Sequence, residues 1–305
     1  MLPHFLHTKP EKEPERSVIL KLNSRIALTS VFLITLNLIS IPVQAAPKVP
    51  TRIISLSPSA TEDLFALGVG KFVIAVDDNS NFPPEAPTSK LSSFNPNVEA
   101  IAKYKPDLVI IQNTASKAES VAAQLKALKI AVYLEKTPVD LDGVYKEISD
   151  LGTLTGKQLK ARIINNTIKV GRITAIARAK KSVPINFFHE IDNTLYSATS
   201  STFIGKVYAD FNLKNIADGA AKADDAGYPQ LQNEYVISQN PKIIFLADAQ
   251  YGESVKKVLV RTGWNNISAV KNLNIVELPA DIPSRWGPRI VDFYRIVADE
   301  ISSIN

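Results

Sequence analysis

Short apolar runs alternate with segments of helical periodicity between residues 52 and 134. The runs are rich in β-branched side chains and are bounded by Pro, Gly and Ser residues, which is typical of buried strands. Ser59 or Thr61 is predicted to cap the first helix, and Gly68 to end it. Regular alternation of strands and helices predicts a parallel α/β lobe. The predicted strands are 52–56, 72–76, 108–111 and 131–134, with helices at 98–103 and 116–128.

A long helix is predicted for residues 157–181, because this stretch lacks proline and repeats isoleucine at helical spacing. At 1.5 Å per residue it would run roughly 40 Å, long enough to bridge two lobes. The alternation of strands and helices resumes after Pro184. The predicted strands there are 185–188, 243–246 and 275–278, and the predicted helices are 202–211, 235–239, 254–260 and a final one from 288.

The predicted fold is therefore two Rossmann-like α/β lobes with parallel sheets, joined by one long rigid helix, with a ligand cleft between the lobes. We divide the chain into a secretory signal segment (1–46), an N-terminal lobe (47–138), a linker with the long helix (139–182) and a C-terminal lobe (183–305).

An internal repeat supports two similar lobes. The segment from Glu99 to Pro106 and the segment from Glu234 to Pro241 each contain a glutamate, six further residues and a proline, followed by one polar residue and an apolar strand. The two copies lie 135 residues apart, which is the spacing of lobes rather than of solenoid repeats. Each glutamate would begin an equivalent helix, where an acid also favours the helix dipole.

Residues 26–45 form an apolar segment that follows Lys21 and Arg25. Val43 and Ala45 are small residues at the −3 and −1 positions of a secretory cleavage site, so we expect export and cleavage after Ala45 or Ala46. An uncleaved membrane anchor is the alternative. In either case the rest of the chain faces the outside, in the periplasm or at the outer face of the cytoplasmic membrane. The sequence has no cysteine that could carry a lipid.

Composition excludes several classes of protein. The formal charge is +5, but the basic residues are not clustered, so nucleic-acid binding is not expected. There is no cysteine and only three histidines, of which His189 alone follows the signal segment. A direct zinc or manganese site is therefore not expected. The sequence also lacks a Gly-rich phosphate loop, a nucleophile elbow and a Cys–His pair, so we expect no enzyme.

The chain resembles the cobalamin and iron-siderophore class of ABC transporter solute-binding proteins. The opening, Arg52-Ile-Ile-Ser-Leu-Ser-Pro-Ser-Ala-Thr-Glu62, is similar to the start of that family. Further matching pieces follow in the family order over nearly the whole chain after the signal. They are Phe82-Pro-Pro-Glu-Ala86, Asn95-Pro-Asn-Val-Glu99, Lys105-Pro-Asp-Leu-Val-Ile110, Thr202-Phe-Ile-Gly205, Tyr228-Pro-Gln-Leu231, Gly263-Trp264 and Gly287-Pro-Arg-Ile-Val-Asp292.

The resemblance implies a partner and a cargo. Glu99 and Glu234 match the family's two surface glutamates, which pair with arginines of an ABC permease dimer served by cytoplasmic ATPase subunits. The chain would touch the membrane only through that permease. The cargo would be a bulky small-molecule chelate, a ferric siderophore or a corrinoid, that carries its own iron or cobalt; the protein needs no cofactor and binds no metal directly. The alternatives are a haem binder and a surface binding protein of the same fold without a transport partner.

Ligand-binding candidates follow from the rule that clefts of α/β lobes form at the carboxyl ends of the strands. A third wall is expected from the loop 281–288, where Arg285 could meet an anionic chelate. Relatives that bind cobalamin have aromatic residues where this chain has Asn79, Ser93 and Gln112, so the usual cobalamin contacts are missing. The candidates are Ser57, Asp78, Asn79, Phe94, Gln112, Asn113, His189, Tyr196, Tyr251, Arg285 and Trp286.

Overall fold

The computed structural model describes residues 49–179, 184–279 and 281–304. The predicted signal segment lies outside the described residues, and within them no helix is long and apolar enough to cross a membrane. Residues 47–305 form one compact unit.

The N-terminal lobe is built on a four-stranded parallel sheet in the order β2-β1-β3-β4. Three of its strands are almost wholly apolar and buried, as expected for a parallel sheet covered by helices on both faces, while the edge strand β4 is mostly half-buried. The elements are β1 (Ile53–Leu56), α1 (Pro58–Ala66), β2 (Val73–Val76), α2 (Val98–Lys103), β3 (Leu108–Gln112), α3 (Ala118–Ala127) and β4 (Ala131–Glu135).

The C-terminal lobe repeats this sheet in the order β6-β5-β7-β8, again all parallel. The shared strand order confirms the predicted fold of two similar α/β lobes. The elements are β5 (Asn186–Glu190), α6 (Phe203–Ala209), β6 (Lys214–Asn215), α7 (Asn233–Gln239), β7 (Ile243–Leu246), α8 (Val255–Leu259), α9 (Ser268–Lys271) and β8 (Ile275–Glu277).

Three helices connect the lobes: α4 (Leu141–Leu154), α5 (Gln158–Arg178) and α10 (Ile290–Ser303). The long helix α5 packs against α4 and against α10. With 21 residues it is about 32 Å long, somewhat shorter than the predicted helix. One buried apolar cluster runs from Leu64 in α1 through Leu151 and Ile168 to Phe187 and Phe293, so a single core spans both lobes.

The start of α1 differs from the sequence prediction. Ser57 is the N-cap, with its Oγ accepting from the N–H of Ala60, and Pro58 occupies the first helical turn. Ser59 and Thr61 are therefore buried inside the helix instead of capping it. Proline is favoured at the first helical position because its missing N–H would have no partner there. This cap places Ser57 at the carboxyl end of β1, under the inter-lobe cleft.

Candidate functional site

The main inter-lobe cavity has a volume of about 410 Å³ and lies where the N-terminal lobe faces the loop after β7. Its floor is the segment from Asp281 to Trp286. The structure brings together seven of the predicted ligand-binding residues here, Asp78, Asn79, Phe94, Gln112, Tyr251, Arg285 and Trp286, together with Gln250. Asp281 and Ser284 belong to the predicted third wall, and Ser93 is one of the positions where cobalamin binders have aromatic residues. Pro58, Ser59 and Asn81 complete the lining, and sequence reasoning did not select them.

The N-terminal wall of this cavity is a hydrogen-bonded polar surface. Asn79 Nδ2 donates to Ser93 Oγ at 3.3 Å, and Gln112 Nε2 donates to Ser57 Oγ at 3.3 Å. Amides held in this way present their remaining donors and acceptors to a ligand at fixed positions. Phe94 stands beside them with 71% of its surface exposed, a large apolar side chain at the mouth of a polar pocket.

Arg285 lines the cavity, but both terminal nitrogens of its guanidinium contact protein groups. It donates to Glu62 Oε1 at 3.2 Å, to Asn81 Oδ1 at 2.8 Å and to the carbonyl of Asn79 at 2.8 Å, and it pairs with Asp281 at 2.9 Å. Its side chain is only 7% exposed. The arginine therefore ties the floor of the cleft to the N-terminal lobe, and its charge is already balanced without a ligand.

Trp286 separates the main cavity from a second inter-lobe chamber of about 320 Å³. Its indole N–H donates to Glu135 Oε1 at 3.0 Å, and its ring meets the edge of Phe203 at 6.3 Å between centroids. The second chamber is mostly apolar. It is lined by Thr137, Pro138, Val139, Ser201, Thr202, Phe203, Ile204, Ala226, Tyr228, Pro283, Ser284 and Trp286.

Three buried carboxyl groups lie in the N-terminal lobe, where Trp286 reaches it. Both oxygens of Asp63 and of Glu147 lack a hydrogen-bond partner within the described chain, as does Glu135 Oε2. Burial raises the pKa of Asp63 and of Glu147 well above the usual range, and the charge of Glu135 raises both further. Burial also raises the pKa of Glu135, although Ser57 and Trp286 oppose the shift. These carboxyls hold protons to a higher pH than ordinary carboxyls.

The C-terminal wall is the loop after β7. Tyr251 projects from it with 81% of its surface exposed. Behind it, Glu190, Asp248 and Glu253 place carboxylate oxygens within 4.8 Å of one another. Arg261 pairs with Glu190 at 2.5 Å and with Glu253 at 3.4 Å, so a guanidinium already occupies the place of a cation. Burial raises the pKa of Glu190 to about 7 in spite of this arginine.

Four predicted ligand-binding residues line neither chamber. Ser57 is buried beneath Gln112, and Asn113 Oδ1 instead accepts hydrogen bonds from Thr137. Tyr196 lies where its backbone bridges to that of Gln230. His189 is fully buried, its Nδ1 lies 2.9 Å from the hydroxyl of Tyr208, and burial lowers its pKa to about 3. The ring is therefore a neutral core residue, because it sits in the middle of the C-terminal sheet and not at its rim. Trp264 is buried too.

The two repeated glutamates occupy equivalent places in the two lobes. Glu99 is in the first turn of α2 and Glu234 in the first turn of α7, and each helix precedes the strand that pairs with the first strand of its lobe. Both are exposed. Within the described residues, neither side chain makes a hydrogen bond or ion pair, so both carboxylates are available to a partner.

A family described as periplasmic binding protein matches residues 53–282. An uncharacterised ABC transporter substrate-binding lipoprotein of Bacillus subtilis, YvrC, is 31% identical over 280 residues, which cover 90% of this chain and 87% of the relative. A vitamin B12-binding protein of Vibrio vulnificus is 28% identical over 275 residues, covering 88% and 96%. A possible iron-binding periplasmic solute-binding protein of Staphylococcus epidermidis has a similar structure, with a TM-score of 0.69, 28% identity and coverage of 83% and 99%.

Proposed function

This chain belongs to the periplasmic binding protein family, and we propose that it is the extracytoplasmic solute-binding component of an ABC importer for a bulky metal-containing ligand. The observation that carries this proposal is the cleft itself. Two similar lobes face each other across two adjoining chambers, with a polar N-terminal wall and exposed aromatic side chains at the mouth. Such a cleft binds a ligand by enclosure, and we propose a binding role without enzymatic activity, in keeping with the family.

The proposed cargo is a chelate of iron or cobalt, a ferric siderophore or a corrinoid. The relatives support this class, since their names include vitamin B12 binding and possible iron binding. The chambers together offer about 700 Å³, which is within the range of small-molecule sites and large for a single amino acid or sugar. We propose that the metal arrives already coordinated by the ligand. The burial of His189 supports this, because its imidazole does not reach the cleft.

The proposed permease-docking residues are Glu99 and Glu234. A binder with two similar lobes presents one carboxylate on each lobe, and a two-fold permease dimer would present one arginine to each. Arginine–carboxylate pairs can be bidentate, so they fix the register of docking as well as the attraction. The exposure of both glutamates and their lack of partners in the described chain support this role.

The proposed location is outside the cytoplasmic membrane, in keeping with the family. The relative YvrC is a lipoprotein, whereas this sequence contains no cysteine. We therefore propose that export proceeds through the segment that ends at Ala45 or Ala46, without lipid attachment.

Uptake measurements test the docking role. In a strain that lacks this chain, the double variant Glu99→Lys/Glu234→Lys is expected to restore less than a tenth of wild-type uptake of the radiolabelled ligand, because like charges would face the permease. Calorimetry on the purified double variant is expected to show unchanged ligand affinity.

The matched control is Glu119→Lys/Asp224→Lys, which reverses two exposed acids in other first helical turns. Its uptake should equal that of the wild type. Wild-type uptake by the Glu99/Glu234 variant would remove the docking claim. If deletion of the whole chain also left uptake unchanged, the two results together would favour a surface binding protein without a transport partner.

A further inference from the structure

The charged groups that line the cleft are unevenly balanced. Among the described residues of the two chambers, the acids are Asp78 and Asp281, and Arg285 is the only base. Arg285 already faces Glu62 and Asp281 and its side chain is 7% exposed, so protein carboxylates already balance its charge. Asp78 is exposed at the rim and has no basic partner in the described structure.

The C-terminal side adds to this imbalance. Behind the loop that carries Tyr251, Arg261 faces Glu190 and Glu253, while Asp248 Oδ1 is buried without a hydrogen-bond partner among the described residues. The ammonium of Lys257 donates to the carbonyl of Gly252 and so is engaged at the loop backbone. Carboxyl groups thus outnumber basic groups on this side of the cleft as well.

The second chamber carries no charge on its described lining. Its walls are formed mainly by Val139, Phe203, Ile204 and Tyr228. A negatively charged substituent that entered this chamber would lose its hydration without meeting a positively charged side chain of the described lining. Lys117 and Lys136 are exposed near the ends of the N-terminal strands, but neither lines a chamber. Among the described residues, the basic side chains other than Arg285 therefore lie off the lining of the two chambers.

We infer that the cleft selects a metal chelate whose net charge is zero or positive and discriminates against anionic chelates. This inference rests on the proposed function and narrows its cargo. It corrects the expectation that Arg285 would meet an anionic chelate, since the structure commits that arginine to the protein. It also disfavours haem, whose two propionates would need basic partners that the described lining lacks.

A matched series of chelates tests the inference on the full-length processed protein. Ferrioxamine B carries a free ammonium, its N-acetyl derivative has lost that charge, and its N-succinyl derivative carries a carboxylate in the same place. Cyanocobalamin and its monocarboxylic acid form the equivalent pair for cobalt. By calorimetry at about 0.05 M salt, the anionic member of the series that binds is expected to be at least about 10-fold weaker than the neutral member.

A charge reversal at the rim sharpens the test. Asp78→Lys is expected to shrink this discrimination at least about 3-fold, and the effect should weaken in 0.5 M salt. Asp224→Lys, an exposed reversal on the C-terminal lobe outside the chambers, should leave the discrimination unchanged. Equal or tighter binding of the anionic member, or no response to Asp78→Lys, would overturn the inference while the transport function stood. Binding of no member of either series would overturn the proposed cargo and the inference with it.

Discussion

Each lobe buries one glutamate against an arginine, and the two pairs differ in where the arginine comes from. In the C-terminal lobe, Glu190 ends β5 and Arg261 follows α8, so both partners belong to one lobe. In the N-terminal lobe, Glu62 lies in α1, but its partners Arg285 and Arg289 come from the segment that follows β8, the last strand of the other lobe.

The difference gives the two pairs different tasks. The Glu190–Arg261 pair holds the loop that forms the C-terminal wall of the cleft, and Arg261 also stacks on Trp264 at 4.4 Å. The Glu62 pairs fasten one lobe to the floor of the cleft and so fix how the lobes face each other. Buried ion pairs of this kind contribute more to a unique geometry than to net stability.

The largest effect is expected within the C-terminal lobe. Arg261→Met leaves Glu190 buried without its only guanidinium, and we expect the free energy of unfolding to fall by about 3–5 kcal/mol. Urea denaturation measures it. The control Glu190→Gln/Arg261→Met removes the two charges of this pair and should recover part of the loss, because Glu253 keeps its charge without Arg261. A loss of less than about 1 kcal/mol in the single variant would show that the pair does not support this lobe.

A smaller loss is expected at the inter-lobe pair. Arg289→Met leaves Glu62 with Arg285, so we expect about 1–3 kcal/mol of destabilisation. The distinguishing result is geometric. Small-angle scattering should show a broader distribution of inter-lobe distances in Arg289→Met than in Arg261→Met, because only the first variant loosens the connection between the lobes. Identical scattering from the two variants would contradict the proposal that only the Glu62 pairs fix how the lobes face each other.

The smallest effect is expected at the buried carboxyls, and it depends on pH. The folded protein keeps the protons of Asp63, Glu135 and Glu147 to a higher pH than the unfolded chain does. The unfolded chain therefore releases them first as the pH rises, and the free energy of unfolding falls above the ordinary carboxyl range. Glu147→Gln should raise stability by about 1 kcal/mol at pH 8 and by less at pH 5. Thermal unfolding at both pH values measures this, and the same gain at both would contradict the raised pKa of Glu147 in the folded protein.

Local pattern was sufficient for the fold. The helix Val98–Lys103 and the strand Ile243–Leu246 lie where periodicity placed them, because both are short segments whose turn signals are unambiguous. The sequence analysis predicts no separate helix in the first part of the linker. The structure has one there, Leu141–Leu154, whose buried face includes Val144, Ile148 and Leu151. The first cap was misplaced because Ser57, Ser59 and Thr61 are chemically equivalent candidates, and the preference of Pro58 for the first turn decides between them.

The site was only partly predictable from the sequence, because the burial of a side chain and its hydrogen-bond or ion-pair partners are set by the folded chain. Position at a strand end correctly brought Asn79, Gln112 and Tyr251 to the cleft. The same rule also selected His189, which lies one residue before the end of its strand and is therefore buried. Arg285 looked free in the sequence because its partner Glu62 lies 223 residues away. Long-range pairing of this kind leaves no local pattern to read.

The central claim is that one metal chelate binds between the lobes. The most direct measurement is calorimetric titration of the secreted protein with cobalamin, a cobinamide, neutral and cationic ferric siderophores and haem, followed by hydrogen exchange with the ligand that binds. The account predicts submicromolar binding of one class with a stoichiometry of one, with protection of amides around Asn79, Tyr251 and Trp286. Heat from no chelate in the panel, or protection confined to one lobe away from these residues, would contradict it.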